Sequence, residues 1–375
     1  MDLEHIEIPG EGDARERTWS VLSVAFAERQ PVERTPRRVR VAIAVAVLVA
    51  ALAAVLSPSG RAVLDELRAV VGVERAQPAL FSLPAPGRLL VASDAGVWVV
   101  RQDGSKRLLG PYREASWSPF GRFVVAAREN ELAALEPDGE VRWTLARPGV
   151  RSPRWTGTTT DTRIAYVDRT GIRVVAGDGA DDRLLVPGGR GPIAWRPGDR
   201  FVLAYTTSGS VRVVDAETGG LVWRAPRPPG RPAVVQWSAD GGRLLVGSIS
   251  SVVVYEQASR RYELGPGAAQ VHAAALAPRG TSLVFAQQAA GRGQLWVVPR
   301  LRADASAARR LLSGPGGFDG VLWTTDGRWI LASWPKADQW VFLRADGSRI
   351  RAVSNVSEQF RTRSFPRLQG WCCSP

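Results

Sequence analysis

A bulky apolar residue, usually tryptophan, returns about every forty residues through most of this chain. The positions are Trp117, Trp155, Trp195, Trp237, Leu276, Trp323 and Trp371, at intervals of about 38 to 48 residues. Each is followed by a turn phrase: WSPFG, WTGTT, WRPGD, WSADG, LAPRG, WTTDG and WCCSP. Phe81, in FSLPAPG, occupies one more position of this kind. A fixed period in this range marks a chain built from repeated small units, each burying its apolar face against the next.

Between these anchors the order of elements is constant. A first apolar strand, as in RLLVAS (88–93), RFVLAY (200–205) or RWILAS (328–333), precedes a second, as in VWVVRQ (97–102), VRVVDA (211–216) or WVFLRA (340–345). A short third strand follows in KRLLG (106–110), VRWTL (141–145) and DRLLV (182–186), and the unit closes on its anchor. Asp103-Gly104, Asp138-Gly139, Asp178-Gly179 and Asp346-Gly347 supply hairpin turns between the second and third strands. Asp-Gly suits such turns because glycine accepts φ > 0 without steric cost. A four-stranded antiparallel unit cannot bury both faces alone, so a large side chain from each must pack against its neighbour, and tryptophan offers the most apolar area for that contact. The expected fold is all-β, a seven-bladed β-propeller over 80–375, with six or eight blades as alternatives. Closing the ring removes the exposed sheet edges. The strand around Trp371 and the segment around Phe81 compete for that role, one completing the first blade and the other flanking it.

The phrases WSPFGRFVVAA (117–127) and WSADGGRLLVGS (237–248), with VWVVRQDG, VRVVDAETG and LWVVPR in the second-strand position, resemble the TolB-like propeller repeat. That repeat reads W-S-P-D-G-x-x-[IL]-[AV]-F followed by I-Y-[VL]-x-D. The resemblance extends over the whole repeated region and specifies fold better than function. Leu276 departs from the anchor tryptophan, and Trp155 and Trp195 lack the Ser-Pro. The G-H…W-D signature of WD repeats is absent, although WD-like sequence models are expected to match. TolB-like propellers are implied to be protein-interaction platforms, some fused to serine peptidases; the chain ends with its last blade, so no such fusion is expected here.

Ahead of the repeats, Val41 to Leu56 (VAIAVAVLVAALAAVL) is an uncharged apolar run. At ~1.5 Å per residue it covers roughly 24 Å, a little short of a ~30 Å hydrocarbon core. Arg38 and Arg40 can snorkel, and Ser57 and Pro58 can end the helix. Arg34, Arg37, Arg38 and Arg40 precede it, and the positive-inside rule then places the N-terminus in the cytoplasm and the propeller outside. The competing readings are a buried core helix and a signal peptide cleaved near Ala51-Leu52-Ala53. The expected domains are a cytoplasmic tail (1–40), a transmembrane helix (41–58), a juxtamembrane linker helix (59–79) and the propeller (80–375). In the tail, residues 14–29 (ARERTWSVLSVAFAER) form an amphipathic helix with Trp19, Leu22 and Phe26 near one side. That stripe is a candidate contact for the inner leaflet or for a cytoplasmic partner.

Chemistry-bearing patterns are scarce. His5 and His272 are the only histidines, and Cys372 and Cys373 are adjacent, able to join only in a strained ring. This argues against a disulfide framework or a cysteine-based zinc site. No G-x-S-x-G, H-E-x-x-H or G-x-x-x-x-G-K-[ST] motif occurs. GDGADD (177–182) lacks calcium-loop spacing and reads as a hairpin. The formal net charge of +13 is almost all arginine, with Lys106 and Lys336 the only lysines. It is scattered along the chain, which favours a solvated surface over a nucleic-acid partner. No cofactor, metal or catalytic residue is expected.

The sequence thus leads to a membrane-anchored, extracytoplasmic, non-enzymatic module for a protein or cell-envelope ligand. Binding is expected on the face carrying the long connections Arg224–Pro232, Arg300–Gly317 and Val353–Leu368. A second reading is a transmembrane regulator with the propeller as external sensor. Its layout resembles membrane-bound anti-sigma regulators, without the H-x-x-x-C-x-x-C zinc motif. A third is a propeller lyase or glycosidase, which needs converging carboxylates or histidines in the channel.

Overall fold

Short apolar strands punctuated by Asp-Gly and Pro-rich turns organise the chain into seven sheets. The computed structural model describes residues 73–78, 82–198, 200–264, 270–301 and 308–373. The propeller belongs to the second of two units, Pro58–Pro375; the first, Met1–Ser57, lies wholly outside the described residues, with Trp19, Leu22, Phe26 and the apolar run 41–56. Phe81 is also outside them. Among the described residues no helix is long and apolar enough to cross a membrane.

Strand β1 (Val73–Pro78) comes first. Blade 1 holds β2 (Arg88–Ser93), β3 (Gly96–Val100) and β4 (Lys106–Gly110). Blade 2 holds β5 (Glu114–Trp117), β6 (Val124–Arg128), β7 (Glu131–Leu135) and β8 (Val141–Ala146). Blade 3 holds β9 (Arg151–Gly157), β10 (Thr162–Val167), β11 (Gly171–Ala176) and β12 (Arg183–Pro187). Blade 4 holds β13 (Ile193–Trp195), β14 (Val202–Thr206), β15 (Ser210–Asp215) and β16 (Leu221–Pro226). Blade 5 holds β17 (Pro232–Trp237), β18 (Leu244–Ser248), β19 (Val252–Glu256) and β20 (Ser259–Leu264). Blade 6 holds β21 (Gln270–Leu276), β22 (Leu283–Ala289), β23 (Arg292–Val298) and β24 (Arg309–Pro315). Blade 7 holds β25 (Gly320–Trp323), β26 (Trp329–Trp334), β27 (Gln339–Arg344) and β28 (Ile350–Ser354). After the short helix α1 (Val356–Gln359), β29 (Arg367–Cys372) returns to pair with β2 and supplies the fourth strand of blade 1.

That pairing answers the closure question: the Trp371 strand, and not the Phe81 segment, completes the first blade. Through this hydrogen-bonded ladder, the last described strand becomes the inner strand of the first sheet, and opening the ring between blades 7 and 1 breaks the β2–β29 ladder. The linker helix expected over 59–79 is corrected over its last part. Residues 73–78 form β1, which runs parallel to β28 with Val73 opposite Ile350 and Pro78 opposite Ser354. The outer strand of blade 7 has an unpaired edge, and an extended segment satisfies its N–H and C=O groups where a helix would leave them open.

The phase of the repeat is also corrected. Each anchor opens a sheet instead of closing one: Trp117 pairs with Val124, Trp237 with Leu244, Trp323 with Ile330 and Trp371 with Leu89, all on the strand that follows. The anchors therefore sit on the inner strands β5, β9, β13, β17, β21, β25 and β29. Each inner strand touches the next, β29 meeting both β5 and β25, so the seven close into a ring.

Seven apolar clusters correspond to the seven boundaries between blades. Trp117 packs with Leu90, Val97 and Val99 of blade 1 and with Val124 and Leu135 of its own blade. Trp195, Trp237, Leu276 and Trp323 fill the equivalent places further round, each at most 8% exposed. Trp155 and Trp371 are half-buried at their boundaries. Because both faces of a blade are covered, β14, β18 and β26 are buried along their whole length, which explains why these strands read as continuous apolar runs.

The expected hairpin signals fold as turns. Asp103, Asp138, Asp178 and Asp346 each accept a backbone N–H two residues on, at 2.9 to 3.0 Å. GDGADD is accordingly the β11–β12 hairpin. Cys372 and Cys373 are joined to each other, with Cys372 buried at the boundary of blades 1 and 2.

Candidate functional site

Antiparallel order gives the ring two chemically different faces. The first-to-second and third-to-fourth strand turns lie on one, the hairpin face. The second-to-third turns and the connections between blades lie on the other, the connection face. Three openings bear on function: the central channel, a cleft on the hairpin face and a cleft on the connection face.

The channel wall is made by the inner strands, and its cavity is about 720 Å³. An inner strand has one edge without a strand partner, so its N–H groups need other acceptors. Side chains from the preceding blade supply several. Glu114 accepts from Ser152 N–H at 2.6 Å, Gln236 from Leu276 N–H at 3.0 Å and Gln369 from Ala115 N–H at 3.3 Å. Indoles close the circuit from the other side: Trp195 Nε1 donates to Arg154 O at 2.9 Å and Trp323 Nε1 to Ala275 O at 3.0 Å. Arg154 lies in the wall, where burial pushes its pKa down and the Glu114 charge offsets part of that. His272 is exposed at the rim. Among the described residues no group of three or more His, Cys, Asp or Glu side chains is placed to hold a metal ion. Of the polar side chains that line the channel, Gln236 and Gln369 join blades, and the wall carries both signs of charge, in Arg154 and Asp319.

On the hairpin face, between blades 2 and 3, a cleft of about 600 Å³ is lined by aromatic side chains. Phe120 is 57% exposed at its edge, Phe123 stacks on Trp155 with centroids 6.0 Å apart, and Trp143 Nε1 donates to Gly177 O at 2.9 Å. Further out, the same boundary is tied by an ionic cluster. Asp182, 7% exposed, accepts from Tyr166 Oη at 2.6 Å and pairs with Arg173 at 2.8 Å and with Arg147. Burial alone would raise the Asp182 pKa; the Arg173, Tyr166 and Arg147 donors outweigh it and hold the carboxyl below its ordinary value. Burial and the same carboxylate push the Tyr166 phenol up.

On the connection face, blades 3, 4 and 5 enclose a cleft of about 590 Å³ built by two connections and one turn. The β12–β13 connection brings Arg190, the β14–β15 turn brings Thr207 and Ser208, the β16–β17 connection brings Arg227 and Arg231, and β15 itself brings Arg212. Arg227 is a strut: its guanidinium donates to Ser208 O at 2.6 Å and also to Gly230 O, tying the connection to the turn. Arg190, Arg212 and Arg231 carry no ion pair or side-chain hydrogen bond among the described residues. Among the described residues no Asp or Glu lines the cleft.

Of the three connections singled out from sequence, Arg224–Pro232 thus borders a polar cleft. Of Arg300–Gly317, residues 309–315 form β24, and 302–307 lie outside the described residues. Val353–Leu368 is packed down: Phe360 is fully buried against Trp98 and Trp340, and Asp94 accepts from Thr362 and Ser364 side chains at 2.7 Å. The anchor tryptophans are structural, holding blade to blade.

Sequence reading missed two uses of arginine. Arg107, Arg183 and Arg309 each lie within the first two residues of a fourth strand and donate to a carbonyl in the next blade, at Asp138, Ala216 and Ala345. Arg88, Arg196 and Arg243 do the same to Gly121, Gly241 and Gly280. A forked, permanently charged donor suits such carbonyls better than lysine. The other use is the cleft, whose arginines are dispersed along the chain. The phrases GGRGP (188–192) and PRPPGRP (226–232), basic and free of acids, were the available signal.

Compared with known proteins, the chain matches no family model and no curated protein. The expected match to WD-like models is therefore corrected. The missing G-H and W-D residues, and anchors that lack Ser-Pro or tryptophan, remove the positions on which such a match depends.

Proposed function

We propose that this protein is a membrane-anchored, extracytoplasmic β-propeller that acts as a non-enzymatic binding or scaffold module for a protein or cell-envelope ligand. The observation that carries the reading is the contrast between its openings. The channel wall bonds Gln236 and Gln369 to inner strands and mixes Arg154 with Asp319, whereas among the described residues the connection-face cleft presents Arg190, Arg212 and Arg231 with no protein partner and no carboxylate. Propellers place variable connections on a rigid ring, and recognition on such scaffolds falls to the connections. The TolB-like phrases at 117–127 and 237–248 agree with an interaction platform.

The anchor is part of the same proposal and rests on the uncharged run 41–56 with the arginines before it. Because β1 runs parallel to β28, Val73 lies at the hairpin face, opposite the face that carries the arginine cleft.

The test is topology with retention. In cells making the full chain, an N-terminal tag should resist external protease while the propeller is cut or labelled from outside. Purified full-length protein should be retained on isolated envelope material. A propeller protected inside the cell, or no retention, contradicts the proposal.

A further inference from the structure

We propose that the connection-face cleft between blades 3, 4 and 5 is a binding site for a phosphoryl group, carried as a phosphate monoester or diester. This deepens the binding-module reading and rests on it, by naming the ligand chemistry.

Two independent observations point to an anion. The first is the lining: Arg190, Arg212 and Arg231 share one cleft with no carboxylate among the described residues, while Arg227 holds the walls. The second is in the sheet. Arg212 on β15 lies directly opposite Arg224 on β16 and opposite Tyr205 on β14. Directly opposed residues share a face with Cβ atoms about 5 Å apart, and like charges there destabilise a sheet. Among the described residues neither Arg212 nor Arg224 has an ion-pair partner. Other strand arginines meet carboxylates, as Arg128 meets Glu131 and Arg260 meets Glu263 at 2.8 Å, or backbone carbonyls, as Arg107 and Arg309 do. Among the described strands, Arg212 and Arg224 are the one pair of arginines set directly opposite each other, and they stand beside an open cleft, an arrangement that an incoming anion relieves.

The geometry favours phosphoryl over carboxylate. One guanidinium fork satisfies both oxygens of a carboxylate, leaving further arginines unpaired. A phosphoryl group offers up to four oxygens and up to two charges, enough for several forks at once. Thr207 and Ser208 on the intervening turn add short polar chains at the rim. At about 590 Å³ the cleft takes one or two small repeat units and not a folded partner.

The experiment is calorimetric titration of the full-length protein, held in detergent-free nanodiscs of zwitterionic lipid, with glycerol 3-phosphate, phosphatidylglycerol vesicles and polyglutamate. Binding of a phosphate probe is expected, weakening as salt is raised. Arg190→Ala, Arg212→Ala and Arg231→Ala should each weaken it by roughly tenfold or more, and Arg212→Lys by less, since it keeps charge but loses the fork. Arg212→Ala should leave the thermal midpoint unchanged or raised, which a purely structural arginine would not do. A response to glycerol 3-phosphate identifies a soluble or polymer-borne group, and a response confined to vesicles a lipid headgroup. No phosphate-dependent heat, equal affinity in the triple alanine variant, or equally tight polyglutamate overturns the proposal. Retention on envelope material separates the two readings. Retention unchanged in the triple variant sinks the phosphoryl site alone, and no retention of the wild type sinks the binding module.

Discussion

Two anchor tryptophans in equivalent positions offer a clean test of how the blades are joined. Trp117 and Trp323 each end an inner strand, each is 8% exposed, and each packs across a blade boundary. Arg88 lies over the Trp117 ring at 4.8 Å, a cation–π contact that a phenylalanine ring retains in part, and the larger difference lies at the indole nitrogens. Trp323 Nε1 donates to Ala275 O at 3.0 Å, whereas Trp117 Nε1 is buried without a partner. Replacing either with phenylalanine removes a similar slice of apolar area, so the burial terms largely cancel in the comparison. What remains is a hydrogen bond lost at Trp323, with a carbonyl left unsatisfied, against an unsatisfied donor removed at Trp117. Losing one partner of a buried hydrogen bond costs about 1–3 kcal/mol, whereas removing an unpaired donor costs nothing on this account. Trp323→Phe should therefore be less stable than Trp117→Phe by about 1–3 kcal/mol. For a domain of this size that is a difference of roughly 2–4 °C in melting midpoint per kcal/mol. Urea unfolding of the full chain followed by far-ultraviolet circular dichroism gives the comparison directly. Equal losses in the two variants, or a larger loss at Trp117, would refute the role assigned to the indole bridge.

Other expectations follow from the same contacts. Asp182→Asn should cost about 3 kcal/mol at neutral pH, because Arg147 loses its carboxylate and Arg173 keeps only the more distant Asp168, at 3.8 Å. Since the folded carboxyl titrates below its unfolded value, its contribution is complete above about pH 4 and is lost as pH falls through the lower folded pKa; the wild type and Asp182→Asn curves should converge in acid. Unfolding midpoints measured across pH check both statements. Gly96→Ala should be strongly destabilising, since Gly96 has φ +129° and a Cβ there would overlap the Gly110 carbonyl oxygen; soluble yield and thermal midpoint report it. Glu114→Ala should leave the Ser152 N–H without an acceptor and cost about 1–3 kcal/mol, read by urea unfolding, with faster hydrogen exchange at Ser152.

What was legible in the sequence was local and periodic. Trp117, Trp195, Trp237 and Trp323 recur because each must fill one blade boundary, and Asp-Gly pairs recur because each hairpin needs a left-handed residue. Phase was not legible: a turn such as Ser118–Gly121 joins strand to strand in the same way whether the anchor closes one unit or opens the next. Only the β2–β29 pairing, between residues far apart in sequence, settles it. The arginine ties were hidden for a related reason. Arg107 and Asp138 lie in different repeats, and nothing in either segment states that their blades touch. The cleft was hidden most completely, since Arg190, Arg212 and Arg231 come from two connections and one strand, and only the ring brings them together.

The central claim is a closed ring of seven sheets whose first blade is completed by the last strand of the chain. An experimental density map of the full-length protein at side-chain resolution tests it most directly. The account predicts seven radial sheets, with the strand bearing Trp371 hydrogen-bonded to Arg88–Ser93 and Leu89 opposite Trp371. A ring of six or eight blades, or a C-terminal strand paired anywhere else, would contradict it.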